Sequence, residues 1–423
     1  MQDHSNLFNN SYQCLIENSG EEGFFASSRK ESFGCFFGRD SILTTLKVLR
    51  ARSKKNEIDL LESCHRSLLS LIQFQGKVSA PSGEQPGKFV HEVRKDPTFK
   101  GAPDKPLFLY PDGTLRNYDS LDSTPLGLIA IYNYWQTTQD KTFLLNSLDA
   151  VEAGLNWIIS YGDLDKDLLV EYKNPPGREE GLVSIQSWTD SPESILNVSG
   201  QMPEFPIAPV EVQAYCWLAL KIWSDFYIET NTSVEFGRKL LKQSIDLKKR
   251  FNELFILKDR GFFYAAQALD GNKNQLKTIT ANPMLCLWAA YKKGDFVESI
   301  VEKKYIDDFV QRSFQVDLFV ANAGIRTMSS LAETFIPHRS SYHNGSFWPI
   351  LNCLVVEGLE NFGFSIEAQD LKNASLDPIA YFGSPIELYL EEGGRVVEFC
   401  RDGEFGGCRN QSWSAASILD LLT

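Results

Sequence analysis

The 423-residue chain has no run of about eighteen apolar residues, so no membrane-spanning helix is expected. Its five histidines show no HxH or HExxH spacing, which argues against a metal centre, and no cofactor is expected. None of the eight cysteines (14, 35, 64, 216, 286, 353, 400, 408) forms a CxxC pair. Scattered thiols suit a reducing compartment. Only Cys400 and Cys408 are close enough in sequence for a local bridge, and none is expected there. Basic charge is scarce: 42 Lys and Arg against 55 Asp and Glu give a net charge of −13. Nucleic acid, which demands basic stripes, is excluded as a partner, and so are anionic membrane surfaces. No glycine-rich phosphate loop is present; the PPG at 175–177 lacks the Lys-Ser/Thr ending of a nucleotide motif. The opening MQDHSNLFNN has no apolar h-region, so no signal peptide and a cytoplasmic location are expected.

Apolar and aromatic residues are plentiful instead. Hydrophobic residues make up 43% of the chain and aromatics 12%, enough for a large core or for a cleft whose rings face sugars. Residues 41–52 and 58–74, 123–136 and 141–161, and 209–229 and 234–257 read as amphipathic helix pairs. A fourth pair is expected at 278–292 and 295–303, a fifth at 347–362 and 366–372, and a sixth at 378–391 and 411–422. Residues 261–269 read as a strand or hairpin arm, and 307–333 as irregular. Long polar loops separate the pairs, notably 75–118 and 164–183. Paired helices without strand–helix alternation predict an all-α (α/α)6 toroid with long loops at one end. An open solenoid is the other arrangement of such pairs, but no fixed internal period is visible. No linker is evident, so one domain over 1–423 is expected, with 1–30 as a lead-in.

The candidate chemistry lies in the loops. In GLVSIQSWTDS (181–191), Trp188 stands two residues before Asp190. A carboxyl held against an indole in a closed pocket is poorly solvated, which favours its protonated form and suits a general acid. Ser191-Pro192-Glu193 also reads as a plain helix start. Glu398 lies among Val396, Val397 and Phe399, just before a loop with Gly403, Gly406 and Gly407. An acid in an apolar run is either paired, here with Arg395 or Arg401, or poised for reaction. Arg39 and Asp40, in FGRD, supply a charged donor fork and a charged acceptor for hydroxyl groups, or a plain N-cap. His343, Asn344 and Trp348, in SYHNGSFWP, form a second such group, unless Asn344-Gly345 is only a type I′ turn.

In chain order, FGRDS (37–41), GEQPGKFVHEVR (83–94), YDSLDSTPL (118–126), QSWTDS (186–191), PIAPVEVQAY (206–215), YHNGSFWP (342–349) and EFCRDGEFGGCRNQSWSAA (398–416) resemble segments of the amylo-α-1,6-glucosidase, or glycogen-debranching, family of (α/α)6 glycoside hydrolases. The resemblance spans about residues 33–416. It implies an inverting hydrolase of α-linked glucosides, with Asp190 as general acid and Glu398 as general base. It also implies substrate contacts from Arg39, Asp40, Trp188, Glu211, His343, Asn344 and Trp348. The tail loop is shorter than the family's, which leaves Glu387, in PIELYL, as a second candidate base. The expected partner is an oligosaccharide or polysaccharide; oligomeric state is not legible. Other hydrolases on related toroids, such as trehalases and glucosyl- or mannosylglycerate hydrolases, are the nearest alternatives. A catalytically silent sugar-binding protein is a further one.

Overall fold

A computed structural model describes residues 5–96, 107–175, 178, 185–336, 338, 340–401 and 404–423. Residues 181–184 of the GLVSIQSWTDS segment, Pro176 and Gly177 of the PPG sequence, Gly403, and residues 97–106 of the long polar stretch lie outside the described residues.

Twelve α-helices occur among the described residues. They are α1 (Ser5–Glu17), α2 (Gly38–Lys54), α3 (Leu61–Gln73), α4 (Ser123–Thr138), α5 (Lys141–Trp157), α6 (Val210–Glu229), α7 (Val234–Leu254), α8 (Leu285–Trp288), α9 (Lys303–Ser313), α10 (Pro349–Asn361), α11 (Ser365–Phe382) and α12 (Ser412–Leu422). The even-numbered helices pack in succession, α2 on α4, α4 on α6, α6 on α8, α8 on α10 and α10 on α12, and α12 closes the ring against α2. Outside it, α3, α5, α7 and α11 back α2, α4, α6 and α10, and α1, inside the segment expected as a lead-in, packs on α12. The fold is an (α/α)6 toroid.

The two rings differ in sequence for a physical reason. An inner helix touches protein on every side, so α6 is buried almost throughout, from Val210 to Tyr227. An outer helix buries one stripe: in α7, Leu240, Ser244, Leu247 and Phe251 are buried at helical spacing, with charged residues between them.

Two expected pairs are corrected. At 278–303 there is no long helix pair. A 3-10 turn (Asn282–Met284) containing Pro283 leads into the one-turn α8, and Tyr291–Lys293 then pairs with Phe296–Glu298 as a hairpin. Gly294, at φ +57, makes the hairpin turn. The outer helix is α9, within residues expected to be largely irregular. At 378–391 no new helix starts. Instead α11 continues to Phe382 and stops at the left-handed Gly383, and Tyr389–Glu392 is a strand. The segment 191–200 is turns, so Ser191-Pro192-Glu193 does not begin a helix.

Charge separates along the ring axis. Lys47, Arg50 and Lys54, in the C-terminal half of α2, meet Asp420 near the end of α12 and Glu357 and Glu360 near the end of α10. Burial opposes ionisation of Asp420, but Lys47, Arg50 and Lys54 outweigh it and hold the carboxyl well below its usual range. All eight cysteines are free thiols. Among the described residues no helix is long and apolar enough to cross a membrane.

Candidate active site

The opposite end of the ring gathers helix N-termini. Phe36–Phe37 pairs with Glu92–Arg94 as a strand, and Phe37 is the extended N-cap of α2, so Arg39 and Asp40 fall in the first helical turn. Gly38 is required here, because a Cβ would lie 2.0 Å from the Val90 carbonyl oxygen. Asp122 caps α4, Glu211 is in the first turn of α6, Trp348 caps α10 ahead of Pro349, and Gln411 caps α12. The positive ends of the ring helices thus surround one place, which favours carboxylates and other electron-rich groups there.

A cavity of about 340 Å³ opens at this end, lined by Arg39, Asp40, Trp188, Asp190, His343 and Trp348 among others, and by Glu387. Arg39 is its hub. Nη1 donates to the Ser187 carbonyl at 2.8 Å and to Asp122 Oδ2 at 3.4 Å, and Nη2 donates to Asp190 Oδ2 at 3.0 Å. Burial works against the guanidinium charge, yet Asp122, Asp190 and Asp40 hold it more firmly protonated than usual. One cation therefore locks the start of α2, the entry to α4 and the 185–191 segment together. Asp190 pairs with this guanidinium, so Trp188 alone does not set its environment. Trp188 turns its indole N–H to Asn282 Oδ1 at 3.2 Å and meets His343 and Trp348 edge to face. His343 stacks on Trp348 with centroids 4.6 Å apart, and its Nδ1 lies 3.0 Å from Ser191 Oγ. These rings make a rigid aromatic wall.

Of the two candidate bases, the structure puts Glu387 in the cavity and Glu398 outside its lining. Glu398 ends the hairpin strand Arg395–Glu398, and its carboxylate accepts from Arg409 Nη2 at 2.7 Å, with its side chain 35% exposed. Its neighbours Val396, Val397 and Phe399 pack on or in the core while the Glu398 carboxylate itself turns out to Arg409, so the apolar run does not place the acid in the cavity. Glu387 sits in an equally apolar run, Ile386 to Leu388, that is fully buried. Its Oε1 accepts from the Tyr342 hydroxyl and its Oε2 from the Cys408 N–H at 2.8 Å. Burial pushes its carboxyl up to about 7, opposed by the Tyr342 and Cys408 hydrogen bonds and reinforced by the nearby Asp190. Asp40 is likewise raised to about 7, first by burial, with Arg39 opposing and Asp190 and Glu387 reinforcing. Gln411 donates to Asp40 Oδ1 at 3.3 Å. Three carboxyls, Asp40, Asp122 and Asp190, thus share one guanidinium, with Glu387 close by. Burial also raises Asp122, with Arg39 opposing.

Two expected substrate contacts fall elsewhere. Glu211 is fully buried and does not line the cavity. Burial pushes it up to about 8, so it stays neutral behind the site at pH 7. Asn344 braces a loop: its amide donates to the Thr334 carbonyl at 2.8 Å and its carbonyl oxygen accepts from the Ile336 N–H at 2.7 Å. Gly345 has φ +92 and Asn344 does not share a positive φ, which excludes the type I′ turn. Asp122, Tyr342 and Gln411 were not singled out as site residues, although the YDSLDSTPL, YHNGSFWP and Gln-x-Trp segments that carry them were. Among the described residues, the one acidic group with metal-like spacing is Asp163, Asp165 and Asp167. It is not among the cavity's lining residues, and Lys273 Nζ lies 2.9 Å from Asp165 and 3.3 Å from Asp167.

The fold and site can be set beside known proteins. Among solved structures, the chain is similar to a mannosylglycerate hydrolase of glycoside hydrolase family GH63 from Thermus thermophilus. Its complex with Tris aligns at a TM-score of 0.67 and 15% identity, over 99% of this chain and 100% of that one. The same protein with glucose aligns at 0.66 and 16%, with the same coverage. A metal-independent α-mannosidase from Streptococcus pneumoniae, in a non-productive complex with α-1,6-mannobiose, aligns at 0.61 and 14% over 99% of this chain and 92% of that one. At these identities the likeness is one of fold. No curated protein matches the chain by sequence. Residues 111–414 match the family described as the mannosylglycerate hydrolase MGH1-like glycoside hydrolase domain. That match supports a six-hairpin glycosidase, without singling out the glycogen-debranching branch that the motifs resemble. Because it extends over most of its length, the chain belongs to the MGH1-like glycoside hydrolase domain family.

Proposed function

We propose that the protein is an inverting glycoside hydrolase that releases a single α-linked hexose from a small acidic aglycone, a mannosylglycerate-type reaction. Asp190 acts as general acid and Glu387 as general base. The observation that carries this reading is that both carboxyls line one cavity, together with the Arg39 and Arg401 guanidiniums and the rings of Trp188, His343 and Trp348. In the acid step Asp190 protonates the departing glycosidic oxygen. Ionised Glu387, held at both oxygens, takes a proton from the water that attacks the anomeric carbon. Inversion requires the two carboxyls to stand roughly 6.5–9.5 Å apart with that water between. Arg39 fixes the direction of Asp190, and Trp188, His343 and Trp348 hold the sugar ring.

The acidic aglycone is supported by Arg401 at the cavity lining. Its guanidinium lies 5.9 Å from the rings of Tyr342 and Phe399 and has no carboxylate partner among the described residues. It can therefore pair with a ligand carboxylate. A cavity of about 340 Å³ also matches one sugar with a short appendage better than a long chain. The second reading is an amylo-α-1,6-glucosidase, favoured by the ordered motifs from FGRDS to the Gln-x-Trp helix.

The deciding measurement is a panel of α-mannosylglycerate, α-glucosylglycerate, isomaltose, panose and limit dextrin, with the anomer of the released sugar read by NMR. The proposal expects the glycerate-bearing substrates to give the highest kcat/KM and the released sugar to appear first as the β-anomer. Preferred release from panose or limit dextrin would replace it with the debranching reading, and binding without product would support a silent sugar-binding protein.

A further inference from the structure

A second cavity, of about 230 Å³, shares no lining residue with the first. It is lined mainly by residues 79–88, by the end of α5 and the turn after it, and by residues 171–175, none of which the hydrolytic reading uses. Three aromatic residues contribute to it: Trp157, Tyr172 and Tyr161, the last 37% exposed. Trp157 is held in place by donating its indole N–H to Gln85 Oε1 at 2.8 Å.

The polar groups facing this space are not saturated. Lys88 is 5% exposed; its ammonium stands 5.7 Å from the centroid of the Trp157 ring, and its hydrogen bonding among the described residues is to the Gly83 carbonyl oxygen, at a weak 3.4 Å. No carboxylate lies within 4 Å of it among the described residues. Burial lowers Lys88 to about 8, so the amine gains from any oxygen that enters the space. Glu171 is 2% exposed; its Oε2 accepts from Lys273 at 2.6 Å, while its Oε1 has no hydrogen-bond partner. Gln186 offers an amide that both donates and accepts. A buried donor and a buried acceptor, each short of partners, call for a ligand that carries both functions.

Charge narrows the ligand class. Lys88 and Lys173 on the lining are matched by Glu84 and Glu171, so the cavity has no net sign with which to select a phosphate or a carboxylate. Its volume lies below the roughly 300 Å³ at which drug-sized pockets begin, so it fits one small ring. A ring with an apolar face for the aromatics and hydroxyls around its edge satisfies all of these features. We propose that this cavity is a second carbohydrate site, holding one neutral hexopyranose away from the site of hydrolysis, either as free sugar or as one unit of a longer glycan.

The site is tested by calorimetric titration of D-glucose and D-mannose into the full chain, beside Tyr161→Ala and Lys88→Met. Expected is binding of two hexoses per chain in the unaltered protein and one in each variant, with kcat and KM for glycoside hydrolysis unchanged. Tyr161 is exposed enough to be truncated without opening the core, so it carries the test if Lys88→Met fails to fold. Gluco- and manno-oligosaccharides form the second arm: tighter binding than the free sugar, lost in Tyr161→Ala, marks a chain-holding site, and equal affinity marks a free-sugar site. One site in the unaltered protein and none in Tyr161→Ala supports the proposal, whereas a hexose stoichiometry that is the same in Tyr161→Ala as in the unaltered protein overturns it. So does a site lost in Lys88→Met that binds D-glycerate or phosphate and no hexose. The inference does not rest on the hydrolytic reading: two bound hexoses without turnover would sink that reading and leave this one standing.

Discussion

Glu387→Gln is expected to make the protein more stable at alkaline pH while nearly abolishing turnover. The side chain is 1% exposed, and its carboxyl is raised from an ordinary 4.5 to about 7. A raised acid binds its proton more tightly folded than unfolded. Between about pH 4.5 and 7 the native state therefore holds protons that the unfolded chain has released, and stability falls as pH rises through that window. Below it the cost is absent; above pH 7 it is fully present, and the rise corresponds to roughly 3 kcal/mol. Glutamine keeps the shape and has no charge to bury. It can still accept the Cys408 N–H, but it meets the Tyr342 hydroxyl with an amide nitrogen unless that hydroxyl rotates, a loss of about 1 kcal/mol. The net gain at pH 8 is then about 2 kcal/mol, fading to nothing or to a slight loss below pH 5. Losing a general base costs roughly 10²–10⁴-fold in kcat. Thermal melts at pH 5 and pH 8, paired with steady-state kinetics, measure both. A variant that retains most of its turnover, or that is less stable than the parent at pH 8 as well as at pH 5, would refute the reasoning.

Glu398→Gln removes only a half-exposed pair with Arg409, so its activity should stay within about twofold and its stability within about 1 kcal/mol of the parent, by the same assays. Asp190→Asn should lose hydrolysis of alkyl glycosides but retain far more activity on dinitrophenyl glycosides, whose leaving group needs no proton; equal losses on both would exclude an acid role. Asp420→Ala leaves the buried Lys47 ammonium with Glu357 but removes the carboxylate that also holds Arg50 and Lys54, and should cost about 1.5–3 kcal/mol in urea unfolding with kcat nearly intact in the folded fraction. Because Asp420 is held below its usual range, its contribution in the parent is present at neutral pH and is lost as pH falls through its folded-state value, so the gap between the two proteins should narrow in strong acid.

The helical architecture was legible because helix burial leaves a period in the sequence. α2, α4, α5, α6, α7 and α10 lie close to where apolar spacing puts them. The failures occurred where local signals were short or shared. α8 is a single turn with no period to read, and the hairpin beyond it turns on Gly294 within KKGD. Continuation of α11 through Pro378 runs against the usual helix-breaking rule. At the cavity, Arg39, Asp40, Trp188, His343 and Trp348 could be picked out because charged and aromatic residues at loop–helix junctions are conspicuous. The resemblance puts Glu398 first and Glu387 second as base, and since each is an acid within an apolar run, nothing in the sequence reverses that order.

What the linear chain determined by itself is the ring of paired helices and the set of segments that lead into it, since both follow from spacing and from the chemistry of residues near one another. Tertiary structure alone decided which acid faces the cavity, that Asp190 pairs with Arg39, and that Glu211 and Asn344 are not among the cavity's lining residues. The reason is that solvation and charge pairing depend on distance in space. A hairpin carries Glu398 out to Arg409, while closure of α12 on α2 brings the Cys408 N–H to Glu387 beside groups more than three hundred residues earlier, such as Asp40.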